Sequence, residues 1–212
     1  MKKYILETKE VNTKRLFLES LKLVEDMYKK QEYIEENQKL PIDIDRFQNN
    51  IYKNIVSIEN GKVVATASMF FYDKEIKVPS YSIYSNEIDS LIDRNRRIVE
   101  GGMLASLERI PLLYCMSLFF SICKSKNIDD IILSINPKHL NFYKKILFFE
   151  QIGELKQYDK LKNAPAILIR FTIKEFDYSI VKNDFIKDIF VNNNQIEVNN
   201  NMINYKEIIK SL

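Results

Sequence analysis

The sequence predicts one α/β domain whose central sheet holds a parallel strand pair joined by a helix. Three stretches carry that prediction. Ile128 to Gly153 reads as a strand, a sharp turn, a helix and the start of another strand. Ile110 to Lys124, IPLLYCMSLFFSICK, is apolar nearly all round, the mark of a buried crossover helix between two parallel strands. Asn60-Gly61 separates two strand-like runs, which specifies a hairpin with a type I′ turn.

Bulk properties narrow the class. At 212 residues the chain can bury a full core, and an apolar content of 46% with 29% charged residues is that of a soluble globular protein. A net charge of +3 with no dense Lys/Arg block gives no reason to expect a nucleic-acid partner. Cys115 and Cys123 lie eight apart in an apolar helical run without metal-ligand neighbours, so they read as buried free thiols of a reducing compartment. No metal site is expected. The first apolar run, Tyr4-Ile5-Leu6, is too short for a signal peptide, and no window reaches the length of a membrane span. A cytoplasmic location is the default expectation.

In chain order, Tyr4 to Glu7 is an edge-strand candidate. Asn12 or Thr13 can cap a helix running to about Tyr33, where Phe17, Leu21, Val24 and Tyr28 form an apolar ridge. Ile34 to Gln48 is polar and contains Pro41, so it reads as a loop with at most a turn of helix. Asn54 to Glu59 and Lys62 to Tyr72 are the hairpin strands, Ser85 to Asp93 is a polar helix, and an apolar run around Ile98 and Val99 opens the next strand. Gly101-Gly102 falls inside that strand, marking either a bulge or a close backbone approach by a ligand. Ala166 to Ile173 is the last core strand. The organisation expected is a domain over residues 1–173 and a C-terminal appendage over 174–212. The appendage has an Asn-rich break between two short helical patterns, and its first half, with Ile180, Phe185, Ile186, Ile189 and Phe190, is expected to dock.

The strand-turn-helix carries the chemistry. Asn136 can cap the helix, and Pro137 suits its first turn, where a missing N–H costs nothing. His139, Phe142, Tyr143 and Ile146 fall at i, i+3, i+4 and i+7, which puts the only histidine and a tyrosine on one helix face. That helix starts at a strand's C-terminal end, where ligands bind in open α/β sheets. By position alone, the same spacing equally describes an amphipathic face packed on a core.

Asn-Pro-x-His-x-x-Phe-Tyr-x-x-x-x-Phe resembles the N-P-x-H-x-x-F-Y-x-x-x-G-F signature of GNAT-superfamily acyltransferases. It is nearest to the long-chain N-acyl amino acid synthases (FeeM-like) and more distantly similar to the acyl-homoserine lactone synthases. Leu147 or Phe148 stands where the signature has glycine. Asp73, Pro79, Glu87, Glu100 and Ala105 also match the synthase pattern, as do Tyr158 and Pro165 near its end. Ala65 replaces its glycine, and Ser68 and Met103 replace its two arginines. Those arginines serve the acceptor and active-site network of the lactone synthases, so that activity is not implied.

The resemblance, covering roughly Tyr4 to Ile173, implies a GNAT fold in which two splayed parallel strands, here around Glu100 to Ala105 and Ile131 to Ile135, receive an acyl thioester. It implies an N-acyltransferase with Glu100 as base, Tyr143 as acid and His139 orienting or relaying. The donor's pantetheine arm would lie along Gly101, Gly102, Met103, Leu104, Ala105, Ser106 and Asn136. The acceptor, a small amine such as an amino acid, would meet Tyr33, Ser68 and Asp73. Ser106 to Pro111 holds no glycine, unlike the pyrophosphate loop of acetyl-CoA enzymes, which favours an acyl carrier protein donor over acyl-CoA. Neither is a permanently bound cofactor. Arg94, Arg96, Arg97, Arg109, Lys124, Lys126, Lys138, Lys144 and Lys145 are candidate contacts to an acidic carrier. Two rivals stand beside this reading: an ordinary acyl-CoA N-acetyltransferase, and a GNAT fold reduced to a binding module.

Overall fold

The computed structural model describes residues 6–175, 184–190, 196–197 and 203–212. Tyr4, Ile5, Ile180 and much of the Asn-rich break fall outside them. Strands β1 (Leu6–Glu10), β2 (Tyr52–Glu59), β3 (Lys62–Phe71), β4 (Ile98–Ser106), β5 (Asp130–Ile135), β6 (Glu150–Gln151), β7 (Lys156–Tyr158), β8 (Ala164–Thr172) and β9 (Ile196–Glu197) form one sheet. Its order is β6-β8-β5-β4-β3-β2-β1-β9, with β7 also paired to β8. β4 and β5 run parallel, as do β1 and β9, and the other pairs are antiparallel.

Helix α1 (Lys14–Lys30) is capped by Thr13, whose hydroxyl accepts from the Leu16 N–H. It buries Leu16, Phe17, Leu21, Leu23 and Val24 on one sheet face, together with α2 (Tyr81–Ile92). Helix α3 (Arg109–Ser125) is the crossover between β4 and β5. Its Leu113, Met116, Leu118, Phe119 and Phe120 pack on the other face with α4 (Leu140–Ile146). Each such side chain taken fully from water contributes roughly 1.5–3 kcal/mol, which explains why so apolar a helix lies inside. Cys115 and Cys123 are free, buried thiols on it.

The hairpin turn has Asn60 at φ 51° and Gly61 at φ 76°, both left-handed as a type I′ turn requires. The strand expected at the sheet edge, β1, is covered by β9, contributed from the Asn-rich region. Helix α5 (Asp184–Phe190) buries Ile189 against the α3 layer, and α6 (Tyr205–Lys210) buries Tyr205 in the α1 layer. Both sides of the break therefore dock, where only the first was expected.

The parallel pairing of β4 with β5 runs only from Ile98↔Asp130 to Gly101↔Leu133. Beyond it β4 stays with β3 and β5 stays with β8, so the two strands part. A bulge opens the same stretch. Ser68 faces Gly102 and Thr66 faces Ala105, so Met103 and Leu104 oppose Ala67 alone. Met103 takes φ 48° there. Gly101 serves the packing instead, since a Cβ on it would lie 2.4 Å from Leu133 Cδ2 and 3.2 Å from Phe119. Its missing side chain lets the core close up under the fork.

Among the described residues no helix is long and apolar enough to cross a membrane.

Candidate active site

A cleft of about 890 Å³ occupies the fork. That volume suits a small-molecule or cofactor-sized ligand. Its floor is β4 from Glu100 to Ser106, most of it beyond the pairing with β5. One wall is the turn and helix after β5; the other is the end of α1 with the loop that follows, and residues at the β7–β8 junction close the far side. The cleft lies at the C-terminal ends of the parallel strands, as the sequence predicted.

Glu100 lies at the inner end of the floor and is 2% exposed. Its Oε2 accepts from the Ser80 backbone N–H at 2.9 Å and from the Ser80 hydroxyl at 2.8 Å. Ser80 occupies the N-cap position of α2, yet its side chain caps nothing, because the hydroxyl is spent on Glu100. Burial pushes the Glu100 carboxyl up to about 7; the two Ser80 bonds and the charge of Arg46 oppose that rise. A carboxylate titrating near neutrality is matched to taking a proton from an amine. Two phenols stand near it. Tyr28 is pushed up to about 12 by burial, by Tyr33 and by the Glu100 charge, and Tyr158 donates to the Pro79 carbonyl at 3.2 Å.

Asn136 behaves as expected, its Oδ1 accepting from the Lys138 N–H at 3.0 Å. The first turn, Pro137–His139, is a 3₁₀ turn, and the α-helix starts only at Leu140. His139 therefore sits just before the α-helix and Tyr143 within it, and the two differ in burial. His139 is exposed, and partial desolvation together with Lys138 lowers its pKa. Tyr143 turns inward, is 6% exposed, and packs edge-on against Phe142 and Phe149. Both side chains border the cleft, but no hydrogen bond joins them. Among the described residues the Tyr143 hydroxyl has no hydrogen-bond partner, and burial raises its pKa far above a free phenol's. It is therefore a protonated donor facing the cleft.

The expected donor-side residues Gly101, Gly102, Met103, Leu104, Ala105, Ser106 and Asn136 all border the cleft, and so does Tyr33 on the acceptor side. Two acceptor candidates do not. Ser68 is 1% exposed inside the sheet, bonded to the Tyr52 hydroxyl at 2.9 Å and to Asn54 at 3.2 Å. A small hydroxyl at that arginine position satisfies a buried polar cluster instead of reaching ligand. Asp73 caps a turn, its Oδ1 accepting from the N–H groups of Glu75 and Ile76.

The basic residues divide likewise. Arg94, Arg96 and Arg97 precede β4, and Lys124 and Lys126 precede β5, so they lie at the opposite end of the strand pair. Arg96 and Arg170 there clamp the buried Asp130. Arg109, Lys138 and Lys145 border the cleft. Sequence reasoning missed Ser80, Tyr28 and Arg46. Only the proline of the synthase pattern, Pro79, pointed near the first of them.

A forked parallel pair over a cleft with a near-neutral buried carboxylate defines a GNAT-type acyltransferase. The family model described as "N-acyl amino acid synthase FeeM" matches residues 19–172. The chain belongs to that family and is an N-acyltransferase. The structure resembles FeeM from uncultured soil microbes with a TM-score of 0.75 at 21% identity, over 86% of this chain and 98% of that one. BjaI, a CoA-dependent acyl-homoserine lactone synthase solved with SAM and isopentyl-CoA, follows at TM-score 0.67 and 10% identity, over 98% of this chain and 100% of that one. The lactone synthase LasI has a TM-score of 0.54 at 13% identity, over 89% and 95%. No curated protein matched the sequence.

Proposed function

We propose that this enzyme moves a long-chain acyl group from the phosphopantetheine thioester of an acyl carrier protein to the amine of an α-amino acid. The observation that carries the acceptor is that Arg46 and Glu100 border the same cleft and the Arg46 charge acts on Glu100. In an α-amino acid a single carbon separates amine and carboxylate. A base for the amine and a cation for the carboxylate must then be neighbours, and Arg46 is the cation whose charge acts on Glu100. Its guanidinium is mostly buried, bonded through Nε to the Lys77 carbonyl at 2.8 Å and paired with Asp43, which leaves N–H groups for a ligand.

For the donor, the segment Ser106 to Pro111 offers no glycine-rich phosphate cradle. It presents Leu107, 63% exposed, and Ile110, 49% exposed, beside Arg109 at the cleft mouth. Exposed apolar side chains beside a cation suit an acidic carrier better than a free nucleotide.

In this reaction Glu100, through a water, takes a proton from the acceptor ammonium. The free amine attacks the thioester carbonyl, forming the C–N bond. A backbone N–H of the bulged stretch Met103 to Ala105 holds the oxyanion. Collapse breaks the C–S bond, Tyr143 protonates the departing thiolate, and the second amine proton, released as the amide forms, returns to the Tyr143 oxygen. Products are the N-acyl amino acid and the carrier thiol.

The test is thiol release with acyl-carrier and acyl-CoA donors of equal chain length over a panel of amino acids, with mass spectrometry of the product. A higher kcat/KM with acyl-CoA would support the second reading, a CoA-dependent acyltransferase, which the neighbour BjaI motivates. No thiol release with any donor would favour a binding module.

A further inference from the structure

We propose that the C-terminal helix α6 is a positioning element for the acceptor wall, holding segment 40–47, and through it Arg46, in register with Glu100. This rests on the reading of Arg46 as the acceptor's carboxylate partner. The family match ends at residue 172, so α6 lies outside the matched region.

The wall has little structure of its own. Between α1 and β2 its only helix is the three-residue 3₁₀ turn Ile44–Arg46, although Leu40, Ile42, Asp43, Arg46 and Phe47 all border the cleft. Short irregular segments keep one conformation only when their surroundings hold them. Here much of the hold comes from the last ten residues. Lys206 Nζ donates to Asp45 Oδ1 at 2.8 Å, one residue from Arg46, and Lys39 Nζ donates to the Leu212 carbonyl at 2.9 Å.

A second line of contact runs through the core. Tyr205 donates to the Val11 carbonyl at 3.0 Å and packs on Tyr52, ring centroids 4.8 Å apart. Tyr52 packs on Phe47 at 4.4 Å and on Phe70 at 5.2 Å, and both phenylalanines border the cleft. Two ring contacts therefore link α6 to the cleft wall. Asn204 fixes the start of α6 by accepting from the Glu207 N–H at 3.2 Å.

The test uses the full chain. Lys206→Glu puts like charges beside Asp45 and should raise the acceptor KM about 3–10-fold, with kcat and donor KM unchanged. Backbone amide exchange should quicken in residues 42–47 and nowhere in the sheet. Adding Asp45→Lys restores opposite charges and should return both readouts to wild type. Unchanged exchange at 42–47 would overturn the proposal, and so would a rise across the whole sheet or a charge swap that restores nothing. If the wild type acylates no amino acid, the acceptor assignment falls while the exchange data still decide whether α6 holds the wall.

Discussion

Ser80 donates both its backbone N–H and its hydroxyl to one oxygen of Glu100, from a position twenty residues earlier in the chain. Two donors on the charged form stabilise it, while burial of the carboxyl favours the neutral form. Burial wins, and the group titrates at about 7. The proposed base is thereby partly protonated at neutral pH.

Glu100→Gln should lower kcat by about 10²–10⁴-fold, the usual worth of a general base, with donor KM nearly unchanged. In the wild type kcat/KM should rise with pH, half-complete near 7, because the ionised carboxylate is the active form. Full activity in Glu100→Gln at saturating amine would make Glu100 a structural residue.

The same shift predicts a stability difference of opposite sense. The folded-state value near 7 lies above the ordinary 4.5, so the native state binds the proton more tightly. Stability from this group is complete below pH 4.5 and lost as pH rises through 7, by about 3 kcal/mol. Glu100→Gln should therefore melt higher than wild type at about pH 8 and equal to it at about pH 4. Parallel melting curves across that range test the sign directly.

Ser80→Ala removes one of the two donors and leaves the other. The Glu100 carboxyl should move further up, carrying the acid limb of the rate profile alkaline by about one pH unit, since a hydrogen bond to a charged group is worth about 1.5–3 kcal/mol. A profile with its inflection unmoved would show that the Ser80 hydroxyl does not act on the base.

Tyr143→Phe removes an oxygen that is hydrogen-bonded to nothing among the described residues, so folding should survive. Thiolate is a tolerable leaving group, which limits the loss to about 10–10³-fold in kcat. An unchanged kcat with chemistry rate-limiting would make Tyr143 a core tyrosine. His139→Ala should cost less than Tyr143→Phe, because the exposed imidazole has no hydrogen-bond partner among the described residues.

Arg46→Ala should raise KM for an amino acid by about 10–100-fold, the worth of a charge-assisted contact. An amine of the same shape lacking the carboxylate should lose far less, and only through the upward shift of the Glu100 carboxyl that follows loss of the Arg46 charge. Equal losses on both acceptors would mean that Arg46 supports the wall without binding the carboxylate.

What the sequence by itself determined was local or periodic. Asn60-Gly61 dictated the hairpin, because few residue pairs accept two left-handed conformations in succession. The unbroken apolar face of α3 dictated a buried crossover, and Asn136-Pro137 dictated a turn at the strand end. The strand-end turn indicated the place of the cleft, and the forked pair was what the family resemblance implied. Tertiary structure decided which side chains meet there. Nothing near Ser80 signals Glu100, because their contact joins the residue before α2 to a strand residue twenty positions later. The spacing of His139 and Tyr143 put both at the cleft, but packing left one exposed and buried the other. Ser68 and Asp73 sat at pattern-matched positions, yet strand direction buried one and turn geometry occupied the other. Arg46 belongs to a loop without periodicity, and it reaches the same cleft as Glu100 while bonded to the Lys77 carbonyl thirty-one residues away. A pattern encodes which face of an element is apolar; which polar groups converge is set only when distant elements pack.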